Sequence, residues 1–558
     1  MATQVLCEGA PEDRTQKRQK ANDWEFTKRT QRSHQPIVST NALGCLMTAV
    51  RKDMLSVLAK RGMRDMLVRQ IFATAVSFGG SVIMARVLNP SDFGTYAIAT
   101  FVVNIFMVLG DLGMGASFIQ NSKSPDNKYL QISFTIQLVL VTAVVVLTWT
   151  LAPWIIGFYS SVGRQSVWLI RVMSFLLYLP VLRSASTIQL ERSLRYRPIA
   201  WSEGIGISLY QIIAVICALK GLGVWSFVFA TLLSGLTGLV IVYRSAPWPV
   251  GLCFDWCEIR RVLRQGISFQ SAAVLDVISQ WAIPAIAGIL AGPTAVGYLG
   301  LALANAKRPL FLAESVMRVS FPHFSRLQTN LSELHDAINN YLVGLLWVMF
   351  AWAGLLWTAG SPLVMLIYSA KWLPAVPALL VFAIALPMDI IIWTVGLSYR
   401  ALNRNWSAVK IFAARTALNL GISALLVHRI GFLGIPVAYV AANTVCAILL
   451  LYNFTPGFFS RMIRSASWLV PCVVSASLCG RLASELVAGD ATATAIQRLI
   501  LGVLLFSAVY LLGSFALAPV GYRAKFLSLA RPLFSARREH VFNMPPGAES
   551  FGYTASED

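Results

Sequence analysis

The stretch RVLNPSDFGTYAIAT, residues 86–100, directly follows an apolar run that is long enough to cross a membrane. A related stretch, AGPTAVGYLGLA at 291–302, follows another such run in the second half of the chain. In both copies a proline precedes a glycine by four residues, and the matched positions lie 203 residues apart: Pro90 with Pro293, and Gly94 with Gly297. The chain therefore contains an internal repeat, and its two halves are expected to fold alike.

The composition of the chain excludes a soluble globular enzyme. Of the 558 residues, 56% are hydrophobic and 13% are charged, whereas about 25% of the residues of an average soluble domain are charged. The mean hydropathy is +0.65, and apolar runs of membrane-spanning length recur from Met66 to Leu517. These features predict an all-α polytopic membrane protein, which restricts the function to transport or intramembrane chemistry.

Prolines, glycines and clusters of charge divide the apolar region into about 14 transmembrane helices. The predicted spans are 66–88, 93–118, 132–157, 167–190, 200–219, 222–243, 266–290, 295–317, 338–360, 375–397, 407–427, 431–454, 466–487 and 496–518. The repeated stretches are separated by six spans, an even number, so both halves enter the membrane in the same direction. The repeats are therefore parallel, and such a design places a substrate site between the two halves.

The charged residues indicate how the two halves are oriented in the membrane. In the predicted short loops and C-terminal tail, twenty Lys and Arg residues lie on the side of the N-terminus and six lie on the opposite side. This bias predicts that both termini are cytoplasmic. The net charge of +21 is spread over loops and helix ends, so it does not indicate a nucleic-acid partner.

The expected organisation has five segments. The N-terminal segment is polar and has no apolar periodicity, which favours disorder. The segments are a cytoplasmic N-terminal extension at 1–53, a first six-helix bundle at 54–260, a second at 261–455, two additional helices at 456–520 and a cytoplasmic tail at 521–558.

Four stretches of the chain carry a resemblance to a known family: RVLNPSDFGTYAIAT (86–100), GDLGMGASFIQ (110–120), GPTAVGYLGLALAN (292–305) and RVSFPHFSRLQTN (318–330). The chain resembles the bacterial polysaccharide transporters, or lipid-linked oligosaccharide flippases. Their superfamily also includes the multidrug and toxic-compound extruders. With the span count, the resemblance covers 54–520.

The resemblance implies an all-α fold of two parallel six-helix bundles around a central cavity, plus two C-terminal helices, which fits the 14 predicted spans. It also implies a non-enzymatic flippase in the bacterial cytoplasmic (inner) membrane. Such a protein translocates an undecaprenyl-pyrophosphate-linked repeat unit by alternating access, for exopolysaccharide, capsule or O-antigen synthesis. Its expected partners are the lipid-linked glycan, membrane lipid and proteins of polysaccharide polymerisation or export. An ion-coupled antiporter of multidrug or other small-molecule substrates with the same fold is the first alternative. An intramembrane polysaccharide polymerase is a weaker one, because the sequence has no large extracytoplasmic loop.

Cations inside the predicted spans are candidates for binding an anionic substrate. Burying an ionisable group in a membrane is costly, so such groups usually face a cavity or a partner. Lys307 and Arg308 have no acidic neighbour one helical turn away, and Arg can bind phosphate oxygens with two parallel hydrogen bonds. Their alternative role is to reach from the helix toward a membrane interface. Arg318 is a further cavity candidate, although Glu314 could neutralise it as an i,i+4 pair.

Carboxylates and amides inside the spans supply the remaining candidates. Asn104 and Asp111 share one helix face and could line a water-filled cavity; the alternative is that Asp111 caps its helix or pairs with a loop cation. Asp276 and Glu314 are candidates for proton or sodium coupling, although both could instead pair structurally with cations. No metal or organic cofactor is expected, because the eight cysteines are scattered and form no ligand motif.

Overall fold

A computed structural model describes residues 73–111, 127–159, 163, 166–193, 195–255, 284–328, 330–402, 404–486, 492–519 and 521–523. These residues belong to one compact unit, Phe72–Asp558, whereas a second unit, Met1–Ile71, lies outside the described ranges. Within those ranges every regular element is helical, and ten helices are long and apolar enough to cross a membrane. A helix satisfies its backbone hydrogen bonds internally, as a lipid environment requires. The prediction of an all-α polytopic membrane protein is confirmed.

The described residues of the first half form seven α-helices, and packing contacts join the last six of them. The seven helices are α1 (Ala73–Val87), α2 (Pro90–Asp111), α3 (Asn127–Gly157), α4 (Ser166–Ser174), α5 (Tyr178–Arg192), α6 (Tyr196–Leu219) and α7 (Trp225–Ser245). A single 3₁₀ turn, Phe175–Leu177, joins α4 to α5. Pro180 explains this change of winding, because it has no N–H to donate to the carbonyl of Leu176.

The described residues of the second half form six further α-helices: α8 (Pro284–Ala306), α9 (Leu310–Arg326), α10 (Leu331–Tyr368), α11 (Val376–Ala401), α12 (Asn405–Ile430) and α13 (Gly434–Phe454). Two details differ from the predicted spans. Helical backbone continues across the expected loop at 291–294, where Gly292 has a φ of +80°. The prediction of one helix over 295–317 is wrong, because the chain leaves helical geometry at Lys307–Pro309.

Three C-terminal helices follow: α14 (Phe458–Ala466), α15 (Leu469–Glu485) and α16 (Thr492–Leu517). The short helix α14 buries Phe458 and Met462 on one face, while Arg464 on the other is exposed, a pattern typical of a helix lying in a membrane interface. Helices α15 and α16 pack against each other and against α10. Gly480 permits this approach, because a Cβ atom there would stand 2.6 Å from Thr358 Cγ2.

Candidate functional site

One proline causes the break between α8 and α9, and one tryptophan stabilises it. Pro309 cannot donate to the carbonyl of Asn305, and the Leu310 N–H turns instead to the carbonyl of Lys307 at 3.0 Å. The carbonyls of Asn305 and Ala306 therefore lose their helical partners. The indole N–H of Trp352 on α10 donates to both, at 3.3 and 3.1 Å. This bond allows a non-helical turn carrying two cations to exist inside the bundle.

The first of these cations, Lys307, faces a carboxylate in the middle of α11. Asp389 is 4% exposed, and its Oδ2 lies 3.9 Å from Lys307 Nζ. The ammonium also lies 5.0 Å from the centre of the Tyr439 ring, a cation–π distance. Lys307 thus compensates a buried carboxylate that would otherwise be costly inside a membrane protein.

Two side chains of α13 hold Asp389 in place. The Tyr439 hydroxyl donates to both carboxylate oxygens, at 2.9 and 3.2 Å, and the Asn443 amide donates to Oδ1 at 2.8 Å. Behind Asn443, Arg415 of α12 donates to the amide oxygen at 3.5 Å. We call Lys307, Asp389, Arg415, Tyr439 and Asn443 the ion cluster. With two cations and one carboxylate, it carries a net positive charge.

The second cation of the break, Arg308, reaches the other half of the molecule. Its guanidinium carbon lies 4.1 Å from the ring centre of Phe78 on α1. Its Nε donates to Asn305 Oδ1 at 3.1 Å, and the hydroxyl of Tyr368 donates to the same oxygen at 2.7 Å. Arg308 is therefore held between the two repeats by one aromatic face and one neutral amide, and neither contact neutralises its charge.

The two copies of the repeated motif contact each other directly. A Cβ atom on Gly94 would overlap the carbonyl oxygen of Pro293, and a Cβ atom on Gly297 would overlap the carbonyl oxygen of Pro90. The contact is reciprocal, because each glycine packs on the proline of the other copy. Both glycines are thus required for close approach of the two backbones.

Two cations reinforce this contact by capping helices of the opposite half. Arg86, in the last turn of α1, donates to the carbonyls of Leu366 and Ile367 in the last turn of α10, the latter at 2.8 Å. Lys371, just beyond α10, donates to the carbonyls of Arg86 and Leu88 at 2.8 and 2.6 Å. Each cation faces the negative end of a helix dipole and satisfies carbonyls that the helix leaves free.

A tryptophan completes this contact between the halves. The Trp372 indole, fully buried, donates to the carbonyl of Ala85 at 2.7 Å, and its ring packs edge-on against Phe93 of α2. We define the inter-repeat seal as Pro90, Gly94, Pro293 and Gly297 together with Arg86, Lys371 and Trp372. Lys307 lies 10 residues beyond Gly297 of the seal, which is roughly 15 Å along the helix axis at 1.5 Å per residue.

Tyr159, just beyond α3, forms a further contact between the halves. It is 4% exposed, and its ring occupies the space that a side chain on Gly288 of α8 would need. Burial raises the pKa of Tyr159 to about 12, so the phenol stays neutral at physiological pH. The contact is therefore insensitive to pH near neutrality.

The other sequence candidates are placed as follows. Asn104 is half-buried and donates to the carbonyl of Thr100 one turn earlier at 2.8 Å. Glu314 is exposed on α9, and the break separates it from the helix that precedes Lys307. Asp276 lies outside the described residues, as do the side chains of Asp111 and Arg318.

Sequence reasoning missed most of the ion cluster. Asp389 and Arg415 are visible in the sequence as interruptions of apolar runs. An ionisable residue inside a span indicates a cavity or a partner, but it does not indicate which partner. Tyr439 and Asn443 are spaced i,i+4 on α13 and so share a helix face. Nothing in their local sequence indicates that this face meets Asp389, because the pairing depends on how α11 and α13 pack.

Comparison with known proteins identifies the family. Residues 83–377 match the family model described as "Polysaccharide biosynthesis protein". The succinoglycan biosynthesis transport protein ExoT of Rhizobium meliloti is 26% identical over 314 residues, which are 54% of this chain and 61% of the relative. The teichuronic acid biosynthesis protein TuaB of Bacillus subtilis is 24% identical over 280 residues, 49% of this chain and 57% of the relative. The chain thus matches about three fifths of the length of these relatives.

Solved structures show the same fold. The lipid II flippase MurJ in an inward closed conformation superposes with a TM-score of 0.62 at 15% identity, covering 84% of this chain and 99% of MurJ. An inward-facing multidrug-resistance transporter of the MATE family gives a TM-score of 0.56 at 16% identity, covering 72% and 99%. The fold similarity agrees with the repeat and the helix packing. The chain belongs to the polysaccharide biosynthesis protein family, as a polytopic membrane protein of the fold shared by lipid-linked oligosaccharide flippases and multidrug extruders.

Proposed function

We propose that this protein flips an undecaprenyl-pyrophosphate-linked oligosaccharide across the bacterial cytoplasmic membrane by alternating access between its two repeats. The observation that carries the proposal is the pair Lys307 and Arg308, placed on a helix break where one half of the molecule meets the other. The family match and the printed names of the relatives, which refer to polysaccharide synthesis and transport, support it. The proposal assigns no cofactor.

The charge at this position suits a pyrophosphate better than a cationic drug. The ion cluster is net positive, and Arg308 adds a further cation. A pyrophosphate entering a low-dielectric site needs such compensation, and the guanidinium offers two parallel donors to its oxygens. A cationic substrate would instead meet repulsion, which argues against a multidrug antiporter of cations.

The seal provides one of the two states that alternating access requires. In the arrangement observed, Arg86 and Lys371 cap helices across the two halves, and Gly94 and Gly297 allow the backbones to touch. Opening at this end would break those contacts together, as expected for an element with two discrete arrangements. We propose that the cavity then opens to the side of the membrane on which the seal lies.

The full proposed layout keeps the predicted organisation. It has 14 helices in two parallel six-helix bundles, at 54–260 and 261–455, around a central cavity. Two further helices lie within 456–520, and the extension at 1–53 and the tail at 521–558 are cytoplasmic. In this layout the glycan passes between the bundles while the lipid tail stays in the membrane, and proteins of polymerisation or export receive the product.

Replacing Lys307 and Arg308 together by Gln is expected to lower polysaccharide production at least about tenfold while protein abundance in the membrane stays unchanged. The change removes two charges that the substrate would meet, and neutral Gln inserts into a membrane more easily than Lys or Arg. Extracellular polysaccharide and lipid-linked glycan in the cytoplasmic leaflet would be measured at matched protein levels. Exposed Arg429 and Arg464 changed to Gln serve as the control pair. Wild-type production by the Lys307 and Arg308 variant would refute the proposed site.

The orientation has its own test. A cysteine replacing Asn89, in a variant without native cysteines, is expected to react with a membrane-impermeant maleimide added outside intact spheroplasts. The expectation follows from the excess of Lys and Arg in the loops on the opposite side. Labelling of residue 89 only after the membrane is opened would reverse the proposed orientation.

A further inference from the structure

In the pair formed by Lys307 and Asp389, other donors hold the carboxylate in place, whereas the ammonium is more weakly held. The separation of 3.9 Å between Nζ and Oδ2 is an ion-pair distance but exceeds hydrogen-bond length. The Lys307 side chain is 35% exposed, whereas that of Asp389 is 5% exposed. Lys307 is therefore the more accessible member of the pair, and an anion would reach its side chain before it reached the carboxylate.

Asp389 does not depend on Lys307 alone. The Tyr439 hydroxyl and the Asn443 amide donate to its oxygens at 2.8 to 3.2 Å, and Arg415 stands behind Asn443. Hydrogen bonds to a charged acceptor are stronger than neutral ones. The carboxylate would keep two donor groups and one nearby cation when the ammonium turns away, so Lys307 can change partner without leaving an unsatisfied buried charge.

We propose that Asp389 is a resident anion that holds Lys307 in the empty transporter and that the substrate's pyrophosphate displaces it. This inference rests on the proposed function and adds a source of specificity to it. Every ligand must compete with the same fixed carboxylate for the ammonium, so a ligand binds only if its own ionic contact with Lys307 outweighs that of Asp389. Asp389 is thus a specificity-determining residue that does not itself contact the substrate.

Two substitutions are expected to change the affinity for an isoprenyl pyrophosphate in opposite directions. Asp389→Asn removes the competing charge and keeps the shape, so an isoprenyl pyrophosphate should bind about tenfold more tightly, which equals 1.4 kcal/mol. The monophosphate should gain by a similar factor, because the lost competition is common to both anions, whereas an uncharged isoprenoid alcohol should bind as before. Tyr439→Phe removes a donor from Asp389 but keeps the ring beneath Lys307. The carboxylate should then hold the ammonium more strongly, and the probe should bind several-fold more weakly.

The measurement is equilibrium binding of farnesyl pyrophosphate and farnesyl monophosphate to the full chain in nanodiscs of zwitterionic lipid. Farnesol serves as the probe for the lipid tail alone. Asp336→Asn is the control, because it removes an exposed carboxylate that pairs with Arg461 at 3.2 Å outside the cluster. It should leave the affinity for both probes unchanged.

The outcomes separate this inference from the proposed function. Unchanged or weaker pyrophosphate binding by Asp389→Asn would overturn the resident-anion role, and weaker binding that depends on sodium or pH would assign Asp389 to a bound cation or proton instead. If Lys307→Gln still weakens binding in that case, the proposed substrate site stands. If Lys307→Gln and Arg308→Gln also leave binding unchanged, the proposed site fails too. Should Asp389→Asn not fold, tighter or equal binding by Tyr439→Phe overturns the inference by itself.

Discussion

Alanine at Gly94 or at Gly297 is expected to prevent the inter-repeat seal from closing and to reduce transport more than about tenfold. The added Cβ would overlap a proline carbonyl oxygen of the other repeat. Both partners are backbone, so neither can move aside by changing a rotamer, and the two halves must separate. Glycine to alanine inside a helix is otherwise favourable by up to about 1 kcal/mol. The steric clash of the added Cβ therefore opposes the higher helix propensity of alanine.

The same helix supplies a matched control for this prediction. Gly300 lies on α8 one turn after Gly297, and nothing stands within 4 Å of a Cβ built there. Gly300→Ala should therefore keep transport and fold as well as the unchanged chain. A cysteine replacing buried Ala85 would report the opening, because its reactivity with maleimide should rise in the Gly94 and Gly297 variants only. Equal reactivity and equal transport in all three alanine variants would show that the contact is not required.

Reversing the charge of Lys307 with Lys307→Glu is expected to abolish transport and to destabilise the protein. The change places a second carboxylate beside buried Asp389 and removes its cation. Breaking a fully buried pair costs about 3–5 kcal/mol. The cost here should fall at the lower end, because Lys307 keeps about a third of its side chain exposed. Thermal unfolding of the purified chain and polysaccharide production would be measured together.

Exchanging the two charges tests whether the lost stability comes from the interaction between residues 307 and 389. Combining Lys307→Glu with Asp389→Lys restores opposite charges, so part of the lost stability should return. Transport should not return, because Glu at the accessible position repels a pyrophosphate. A double variant as unstable as Lys307→Glu alone would show that the two residues do not interact. Recovery of transport would contradict the role of Lys307 as the substrate's cation.

The sequence predicts the repeat but not its contact. Pro90 and Pro293, with their glycines, are visible as matched motifs, and composition indicates a helical membrane protein. That the motifs pack on each other depends on how two distant helices meet, which no local pattern encodes. The break at Lys307–Pro309 was missed for a different reason. Apolar residues continue on both sides of Lys307 and Arg308 within 295–317, and a proline inside a membrane helix is compatible with either a kink or a break.

The candidate site was predicted only in part. Lys307 and Arg308 stand out in the sequence because cations inside spans are rare and costly. Their partners come from elements far away in sequence: Asp389 is 82 residues from Lys307 and Phe78 is 230 residues from Arg308. Asp389 was visible as an interruption of a span, but its importance follows only from its burial and from the donors on α13.

The central claim is that this chain moves a lipid-linked glycan between leaflets, and reconstitution tests it most directly. The full chain would be placed in vesicles carrying an undecaprenyl-pyrophosphate-linked oligosaccharide in one leaflet. The fraction reaching the other leaflet would be followed with an impermeant glycan-cleaving enzyme. The account predicts fast transfer with the unchanged chain, and transfer near the protein-free rate with Lys307→Gln combined with Arg308→Gln. Transfer no faster than in protein-free vesicles, with the chain shown to be folded, would contradict the account.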